Sequence, residues 1–346
     1  YKMIKLLKKN IRQFIYNRRS NIDNTIKSNS YLKKNDLTFY IKTFGPKNPN
    51  IKFYVIQRAV GGGMFSNLNY VIHHIKIALE LKCIPIIDMK NFPTKYNEKY
   101  KVNNSLNAWD YYFYPINKYK LKDVYKSKFV IFADGQTKKN IEFDSFEHLG
   151  KAHLKIYRKY IKIRKDITDE AQLFINNNFP KDRVLGVHFR GTDMKTQERH
   201  PLPPTSNQII KIINQQIKKY KYNKIYLVTE DLKNLSILKK YYSNKILFYN
   251  NSFRSNKINI FEQDSRKNHR YLLGKENIVD MLILAKADKI ICSNSHLPDA
   301  SNFISYPKKI KFIKIDNGNN SENILFAQFF WYLKKSLPEF LGGFKK

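Results

Sequence analysis

Cysteine is scarce in this chain, which has only Cys83 and Cys292 among its 346 residues. The two lie far apart and have no histidine nearby at metal-ligand spacing, which argues against a disulfide scaffold, a zinc finger or an iron–sulfur site. No run of about 18 apolar residues is free of Lys or Asn, so a membrane-spanning helix is not predicted. Residues 1–20 lack the apolar core of a secretory signal. These absences favour reducing surroundings and a cytoplasmic location. Peripheral attachment to the inner face of the cell membrane is compatible with them.

Acidic residues are also few: 28 Asp and Glu stand against 64 Lys and Arg, a net charge of +36. Such an excess is typical of nucleic-acid-binding proteins. The lysines, however, are spread over the whole chain among abundant Asn, Ile and Tyr, as A/T-rich codons produce, and no zinc finger or RNP-type aromatic motif is present. A nucleic-acid partner is therefore not favoured. A non-catalytic basic protein that binds nucleic acid or anionic glycan is the alternative from another functional class.

The basic segment at residues 3–15 has a helical apolar stripe of Ile4, Leu7, Ile11, Phe14 and Ile15, with Lys and Arg around it. A helix of this kind can lie on an anionic membrane surface. An ordinary amphipathic helix packed on the body of the protein fits the same pattern.

The chain is long enough for about two domains, and 42% hydrophobic residues can form sizeable cores. An apolar run at 53–57, glycines 61–63, an amphipathic helical pattern and a second apolar run at 84–88 together predict a β-loop-α-β unit. The second half alternates strand and helix patterns and is predicted to be Rossmann-like, with strands at 184–189, 224–228, 246–249, 289–292 and 310–315. Thr205 and Gln208 form a capping box that predicts the start of a helix.

Polar residues follow the predicted strand at 184–189. His188 and Arg190 alternate with apolar neighbours and therefore point to the same face of the strand. Asp193 follows three residues after Arg190. Open α/β sheets bind ligands at the carboxyl ends of their strands, and a guanidinium can contact a diphosphate through two nitrogens. A diphosphate site and an Arg190–Asp193 ion pair that only ends the strand both fit this pattern.

The segment His188-Phe-Arg190-Gly-Thr-Asp193 resembles the His-x-Arg-Arg-x-Asp signature of the superfamily of α1,6-fucosyltransferases, NodZ-type enzymes and protein O-fucosyltransferases. In the α1,6-fucosyltransferases the signature continues to a Glu and a His at the spacing of Glu198 and His200. Three other blocks also resemble this superfamily: glycines 61–63 with the helix after them, Thr229-Glu230-Asp231, and the stretch from Asp280 to Ser295. The resemblance extends over residues 51–305.

Two positions depart from the family pattern. Gly191 stands where a second Arg is common, and Met194 stands where the α1,6-fucosyltransferases carry Lys, for which Lys195 can substitute. Gly191 is expected to open space in the donor site. A transferase of the same fold that uses another GDP-deoxy sugar or a heptose is therefore the alternative function.

The resemblance implies an α/β, GT-B-like fold, with two Rossmann-like domains facing a cleft. The implied organisation is a basic arm at 1–50, an acceptor-side domain at 51–175, a GDP-sugar-binding domain at 176–320, and a C-terminal helix and tail at 321–346. The implied activity is inverting, metal-independent transfer of a sugar, fucose being expected, from a GDP-sugar to a glycan or glycolipid acceptor in surface polysaccharide or lipopolysaccharide synthesis. No cofactor and no metal site are implied.

The resemblance also assigns the donor site. Arg190 would stabilise the charge that develops on the departing diphosphate, while His188 and Asp193 would help to hold the donor. Ser295 would donate a hydrogen bond to a phosphate oxygen, and Asp280 would accept hydrogen bonds from the guanine edge.

The acceptor hydroxyl must lose a proton, and a carboxylate within hydrogen-bond reach is the usual base. Glu198 is the leading candidate for this base, and Glu230 or Asp231 is the reserve. In the first half of the chain, Gly62 and Gly63 would let the backbone come close to the sugar or diphosphate. Because the G-x-G-x-x-G and P-loop spacings are absent, NAD and ATP sites are not predicted.

Overall fold

The computed structural model describes residues 30–34, 37–58, 62–133, 146, 149–179, 183–256, 260–263 and 266–345. The helix predicted at residues 3–15, and Gly61 of the glycine segment, lie outside these ranges. None of the helices within them has the length and apolar character that crossing a bilayer requires.

The chain forms two compact units. Unit 1 ends at Arg164 and also includes Asn268–Gly274, and unit 2 comprises Lys165–Lys267 and Lys275–Lys346. The division lies eleven residues before the predicted domain start at 176 because the intervening helix packs on unit 2: Phe174 contacts the ring of Tyr226 at 5.5 Å between centroids.

Unit 1 is built on a mixed sheet. Its elements are β1 (Ser30–Lys34), β2 (Leu37–Lys42), β3 (Lys47–Ile56), α1 (Met64–Glu80), β4 (Ile84–Ile87), α2 (Leu121–Val124), β5 (Ser127–Ala133) and α3 (Lys151–Tyr160). The sheet order is β1-β2-β5-β3-β4, in which β4, β3 and β5 are parallel and β2 and β1 continue the sheet antiparallel. The predicted β-loop-α-β unit is present as β3, α1 and β4, whereas part of the predicted N-terminal arm is strand β2 of this sheet.

Helix α1 is buried along most of its length, and this includes polar positions. The hydroxyl of Tyr54 lies 2.7 Å from Nδ1 of His74, and the His74 ring packs on Tyr70 at 4.0 Å. Trp109 is buried and stacks on Phe113, with 4.2 Å between the ring centroids. These side chains therefore belong to the core of unit 1.

Unit 2 is built on a fully parallel sheet. Its elements are α4 (Lys165–Asn178), β6 (Val184–His188), α5 (Ser206–Tyr220), β7 (Lys224–Val228), α6 (Leu232–Tyr242), β8 (Ile246–Leu247), α7 (His269–Leu284, whose first turns belong to unit 1), β9 (Lys289–Cys292), α8 (His296–Ser305), β10 (Lys311–Lys314) and α9 (Ile324–Ser336). The sheet order is β10-β9-β6-β7-β8. This is the Rossmann strand order, with β6 as the central first strand. The predicted α/β class with Rossmann-like units is thus confirmed.

Helix α5 begins where the sequence predicts. The Thr205 hydroxyl accepts a hydrogen bond from the backbone N–H of Gln208 at 3.3 Å, and the backbone N–H of Thr205 donates to the Gln208 side chain at 2.9 Å. These reciprocal bonds satisfy N–H groups that have no partner within the helix. The capping box is confirmed.

Candidate functional site

The parallel sheet of unit 2 has its topological switch point between β6 and β9. The chain leaves β6 toward β7 and β8 on one side, and later returns to β9 and β10 on the other side. His188, the last residue of β6, is paired in register with Cys292, the last residue of β9. The crevice outside the carboxyl ends of two such strands is where sheets of this topology bind ligands. The predicted polar segment therefore follows the strand that borders this crevice.

Three buried polar atoms at or beyond the carboxyl ends of β6, β7 and β9 have no hydrogen-bond partner in the described part of the chain. They are Nδ1 of His188, Nδ2 of Asn234 and Oγ of Ser293. Their residues are 4%, 6% and 1% exposed. His188 and Ser293 come from the ends of β6 and β9, and Asn234 comes from the first turn of α6 after β7. A buried polar group without a partner costs about 1–3 kcal/mol. A polar ligand or an ordered water at the switch point would satisfy these atoms.

The imidazole of His188 is neutral at ordinary pH. Burial lowers the pKa of His188 to about 3, and the nearby charge of Arg190 lowers the pKa further in the same direction. A neutral imidazole carries one N–H donor and one acceptor nitrogen. His188 can therefore donate one hydrogen bond to a phosphate oxygen without bringing a positive charge.

Arg190 is held by two acidic residues. Its Nη2 lies 3.2 and 3.1 Å from the two carboxylate oxygens of Asp193, and its Nε lies 4.0 Å from Glu230. The ion pair considered from the sequence is therefore present. The Arg190 side chain is nevertheless 35% exposed, and a guanidinium has five N–H donors. The pair with Asp193 fixes the guanidinium beside the end of β6, where part of the side chain is exposed to solvent.

Glu230, a reserve candidate for the base, organises the loop after β6. One of its oxygens accepts hydrogen bonds from the backbone N–H groups of Gly191 and Thr192, at 3.1 and 3.3 Å, and from the Thr192 hydroxyl at 3.1 Å. The other reserve candidate, Asp231, caps helix α6 and forms an ion pair with Lys195 at 3.1 Å. Both acids are thus engaged in holding the loop.

The space expected at Gly191 is filled, so that part of the sequence prediction is wrong. A Cβ atom at this position would lie 2.8 Å from Nδ2 of Asn234, 3.3 Å from Oδ2 of Asp231 and 3.4 Å from Nζ of Lys195. A side chain at position 191 would therefore have to displace the Asn234 amide. Lys195 brings an ammonium group next to Gly191, and its Nζ would lie 3.4 Å from a Cβ atom at that position.

Asp280 is buried on α7 and both of its oxygens have partners. One accepts a hydrogen bond from the Tyr226 hydroxyl at 2.5 Å, and the other from the Ser252 hydroxyl at 3.0 Å. Burial raises the pKa of Asp280 to about 6, against the opposing effect of these hydrogen bonds and of the Arg254 charge. Asp280 is therefore not a surface acid of the helix, and the guanine contact stays a prediction.

Two other predicted residues lie on segments that border the crevice. Ser295 is the N-cap residue of α8, and its half-buried side chain makes no capping hydrogen bond. Glu198 is half-buried in the loop after the 3₁₀ turn at Asp193–Lys195. Asn320 fixes this loop, since its Nδ2 lies 3.3 Å from the Lys195 carbonyl oxygen and 3.2 Å from that of Gln197.

Gly62 and Gly63 lie in unit 1, before helix α1. A Cβ at Gly62 would lie 2.6 Å from Oδ1 of Asn67 and 3.0 Å from Nη2 of Arg58, whereas a Cβ at Gly63 would meet nothing within 4 Å. Arg58 follows strand β3, and its Nε donates to Oδ1 of Asn67 at 3.1 Å. The side chains of Asn67 and Arg58 therefore crowd Gly62, whereas Gly63 has open space around it.

Sequence reasoning missed Asn234, Ser293 and Arg58. Ser293 lies two residues before Ser295, and the family resemblance pointed only to Ser295 as a donor to the phosphate. Asn234 shows its importance only through contact with the loop that contains Gly191. Arg58 is the cation between a predicted strand and a glycine-rich segment, and this position was a signal that could have identified it.

No protein-family model and no curated protein match this chain. Among solved structures, NodZ α-1,6-fucosyltransferase co-crystallised with GDP is 15% identical over 78% of this chain and 96% of that chain, with a TM-score of 0.49. Fucosyltransferase NodZ from Bradyrhizobium is 13% identical over 73% and 92% of the two chains, with a TM-score of 0.46. POFUT1 in complex with GDP-fucose is 12% identical over 48% and 50%, with a TM-score of 0.31.

Proposed function

We propose that this chain is a glycosyltransferase that binds a GDP-sugar, with fucose as the sugar, and transfers it to a hydroxyl of a glycan or glycolipid acceptor. The observation that carries the proposal is the group of partnerless buried polar atoms at the β6–β9 switch point, beside Arg190. A diphosphate has several acceptor oxygens and a negative charge, so it matches hydroxyl, amide and guanidinium donors. The four ordered sequence blocks support guanosine and fucose as the remaining parts of the donor.

The proposed reaction is a single displacement. The acceptor oxygen forms a bond to the anomeric carbon while the bond from that carbon to the β-phosphate oxygen breaks. GDP leaves with the electron pair, and the configuration at the carbon inverts. Arg190 stabilises the charge that develops on GDP. The hydroxyl proton passes to the carboxylate of Glu198, which lies on the same loop in the half-buried position expected of a base that meets an acceptor from solvent.

The other donor contacts follow from the site. His188 and Ser293 donate to phosphate oxygens from the ends of β6 and β9, and Ser295 donates from the N-terminus of α8, where the helix dipole also favours an anion. In the described ranges no group of three or more His, Cys, Asp or Glu side chains is placed to hold a metal ion. Independence from metal, the cytoplasmic location and the role in surface polysaccharide synthesis stay predictions.

The test is thermal unfolding of the protein with GDP, UDP or CDP in the presence of a chelator. GDP at 100 times its Kd should stabilise the protein by about 2.7 kcal/mol, and UDP and CDP should stabilise it less. Arg190→Ala should remove both this stabilisation and sugar transfer. A preference for UDP or CDP would rule out the guanosine assignment.

The matched control is Arg183→Ala. Arg183 is an exposed arginine immediately before β6, at the opposite end of the strand that leads to Arg190, and its Nη1 donates to the Tyr220 carbonyl oxygen at 3.0 Å. This variant should keep the GDP response of the unmodified protein. Equal losses in the two variants would mean that general positive charge, and not the switch-point site, attracts GDP. Salt-dependent binding of polyanions without turnover of GDP-sugars would favour the non-catalytic alternative.

A further inference from the structure

Helix α9 is anchored on unit 2 by one narrow face. Ala327 and Trp331, four residues apart, are fully or almost fully buried. The indole N–H of Trp331 donates to the Pro203 carbonyl oxygen at 2.8 Å, and its ring packs on Phe344 with 6.0 Å between centroids. The inner face of the helix is therefore fixed.

The outer face of α9 is apolar and exposed. Leu325, Phe329 and Tyr332 recur at the spacing that places side chains on one helical stripe. They are 78%, 49% and 51% exposed. The same end of the chain also exposes Phe326, Leu333, Phe340 and Leu341. A helix that rests on its own domain normally presents polar residues outward, and a group of exposed large apolar side chains marks an interaction surface.

Charge decides which partner fits this surface. Helix α9 contains no acidic residue and ends in Lys334 and Lys335, and the whole chain carries +36. The nearest acid before the helix, Glu322, is paired with Arg199 at 3.4 Å. A second copy of the chain would bring another +36 toward the same face, and like charges repel. An anionic lipid surface instead attracts the lysines and accepts the apolar side chains.

We propose that the outer face of α9 docks on an anionic lipid bilayer. Leucine and phenylalanine would enter the boundary between headgroups and acyl chains, where aromatic side chains are also favoured. Lys334 and Lys335, whose ammonium groups lie 5.4 and 5.3 Å from the Phe344 and Trp331 ring centres, would add longer-range attraction to the anionic headgroups. This inference does not depend on the activity proposed above, and it concerns a segment other than residues 3–15.

The test is co-sedimentation of the full chain with vesicles of phosphatidylcholine alone or mixed with phosphatidylglycerol. The unmodified protein should bind the mixed vesicles in a salt-dependent manner. The triple variant Leu325→Gln/Phe329→Gln/Tyr332→Gln should bind them at least about tenfold more weakly, since three apolar side chains no longer enter the lipid. All three positions are exposed, so the variant should keep the thermal unfolding midpoint of the unmodified protein.

The matched control is Tyr100→Gln/Leu173→Gln/Tyr241→Gln, which removes three apolar side chains that are 79%, 62% and 63% exposed elsewhere on the chain. It should bind mixed vesicles like the unmodified protein. A second measurement uses Leu325→Trp, whose added indole should be quenched by brominated lipid in anionic vesicles.

Several results would overturn the proposal. One is equal binding by the triple variant and the control, and another is no binding of the unmodified protein to the mixed vesicles. Loss of binding on deletion of residues 1–29, with the triple variant unaffected, would assign the contact to the N-terminal segment. A dimer in solution that only the triple variant dissociates, without a change in lipid binding, would assign the face to a second copy.

Discussion

Replacing His188 with glutamine should make the protein less sensitive to acid. Burial lowers the pKa of His188 to about 3 in the folded chain, whereas a histidine in the unfolded chain titrates near 6.5. Between these two values the unfolded state binds a proton that the native state does not bind. The free energy of unfolding therefore decreases as the pH falls below about 6.5. The contribution of the neutral His188 to stability is fully present only above that pH.

The size of the effect follows from the two pKa values. At pH 5 the solution is about 1.5 pH units below the pKa of the unfolded state and still well above the pKa of the folded state. Titration of His188 therefore lowers the free energy of unfolding by about 2 kcal/mol between pH 7.5 and pH 5. Glutamine at position 188 does not titrate. The stability of the unmodified protein, measured relative to His188→Gln, should therefore fall by about 2 kcal/mol between pH 7.5 and pH 5.

The assay is urea unfolding of both proteins at the two pH values, followed by circular dichroism. Other titrating groups, including Asp280, are common to both proteins and cancel in the comparison. If the difference in free energy of unfolding between the two proteins is the same at both pH values, within about 0.5 kcal/mol, His188 is accessible to protons. That result would refute its neutral role at the switch point. A change of the opposite sign would mean that a carboxylate stabilises the charged imidazole.

Three further outcomes are expected. Gly186→Ala should destabilise the protein by about 1–3 kcal/mol, because its Cβ would lie 2.6 Å from a leucine methyl carbon, whereas Gly63→Ala, with open space around it, should change urea unfolding far less. Glu198→Gln should lower sugar transfer by roughly 10²- to 10⁴-fold and leave GDP affinity within a few-fold, as titration calorimetry would show; loss of GDP binding would place Glu198 in the donor pocket. Tyr226→Phe removes a hydrogen bond to Asp280 and should cost about 1–3 kcal/mol at pH 8. The loss should be smaller at pH 5, where the carboxyl, whose pKa is raised to about 6, is already protonated, and an equal loss at both pH values would contradict this account.

Local sequence signals predicted the central elements well. Strands β7 and β9 begin and end where the apolar runs do, because each is a short buried run bounded by polar residues. Helix α5 starts at the Thr205–Gln208 capping box, since capping involves only neighbouring residues. The apolar pattern predicts a helix over residues 277–287, whereas helix α7 begins at His269 and its first turns belong to unit 1.

The alternation of polar and apolar residues groups candidate site residues only within one continuous segment. His188, Arg190 and Asp193 lie on a single strand and turn, so alternation along the chain was enough to group them. The environment of Gly191 was not predictable, because Asn234 and its neighbours approach it from another helix. Space beside a glycine depends on tertiary packing and not on the family pattern at that position.

The loop that carries Glu198 is held in place by residues more than a hundred positions further along the chain. Asn320 contacts the carbonyl oxygens of Lys195 and Gln197, and the ammonium of Lys195 lies 5.0 Å from the centre of the Trp331 ring. During synthesis on the ribosome, β6 and its loop emerge long before these partners, which are still inside the exit tunnel when most of unit 2 has been made. The loop therefore gains its contacts with Asn320 and Trp331 only after these residues have been synthesised. A nascent or truncated chain that lacks helix α9 would contain every predicted catalytic residue and would lack the contact between Lys195 and Trp331.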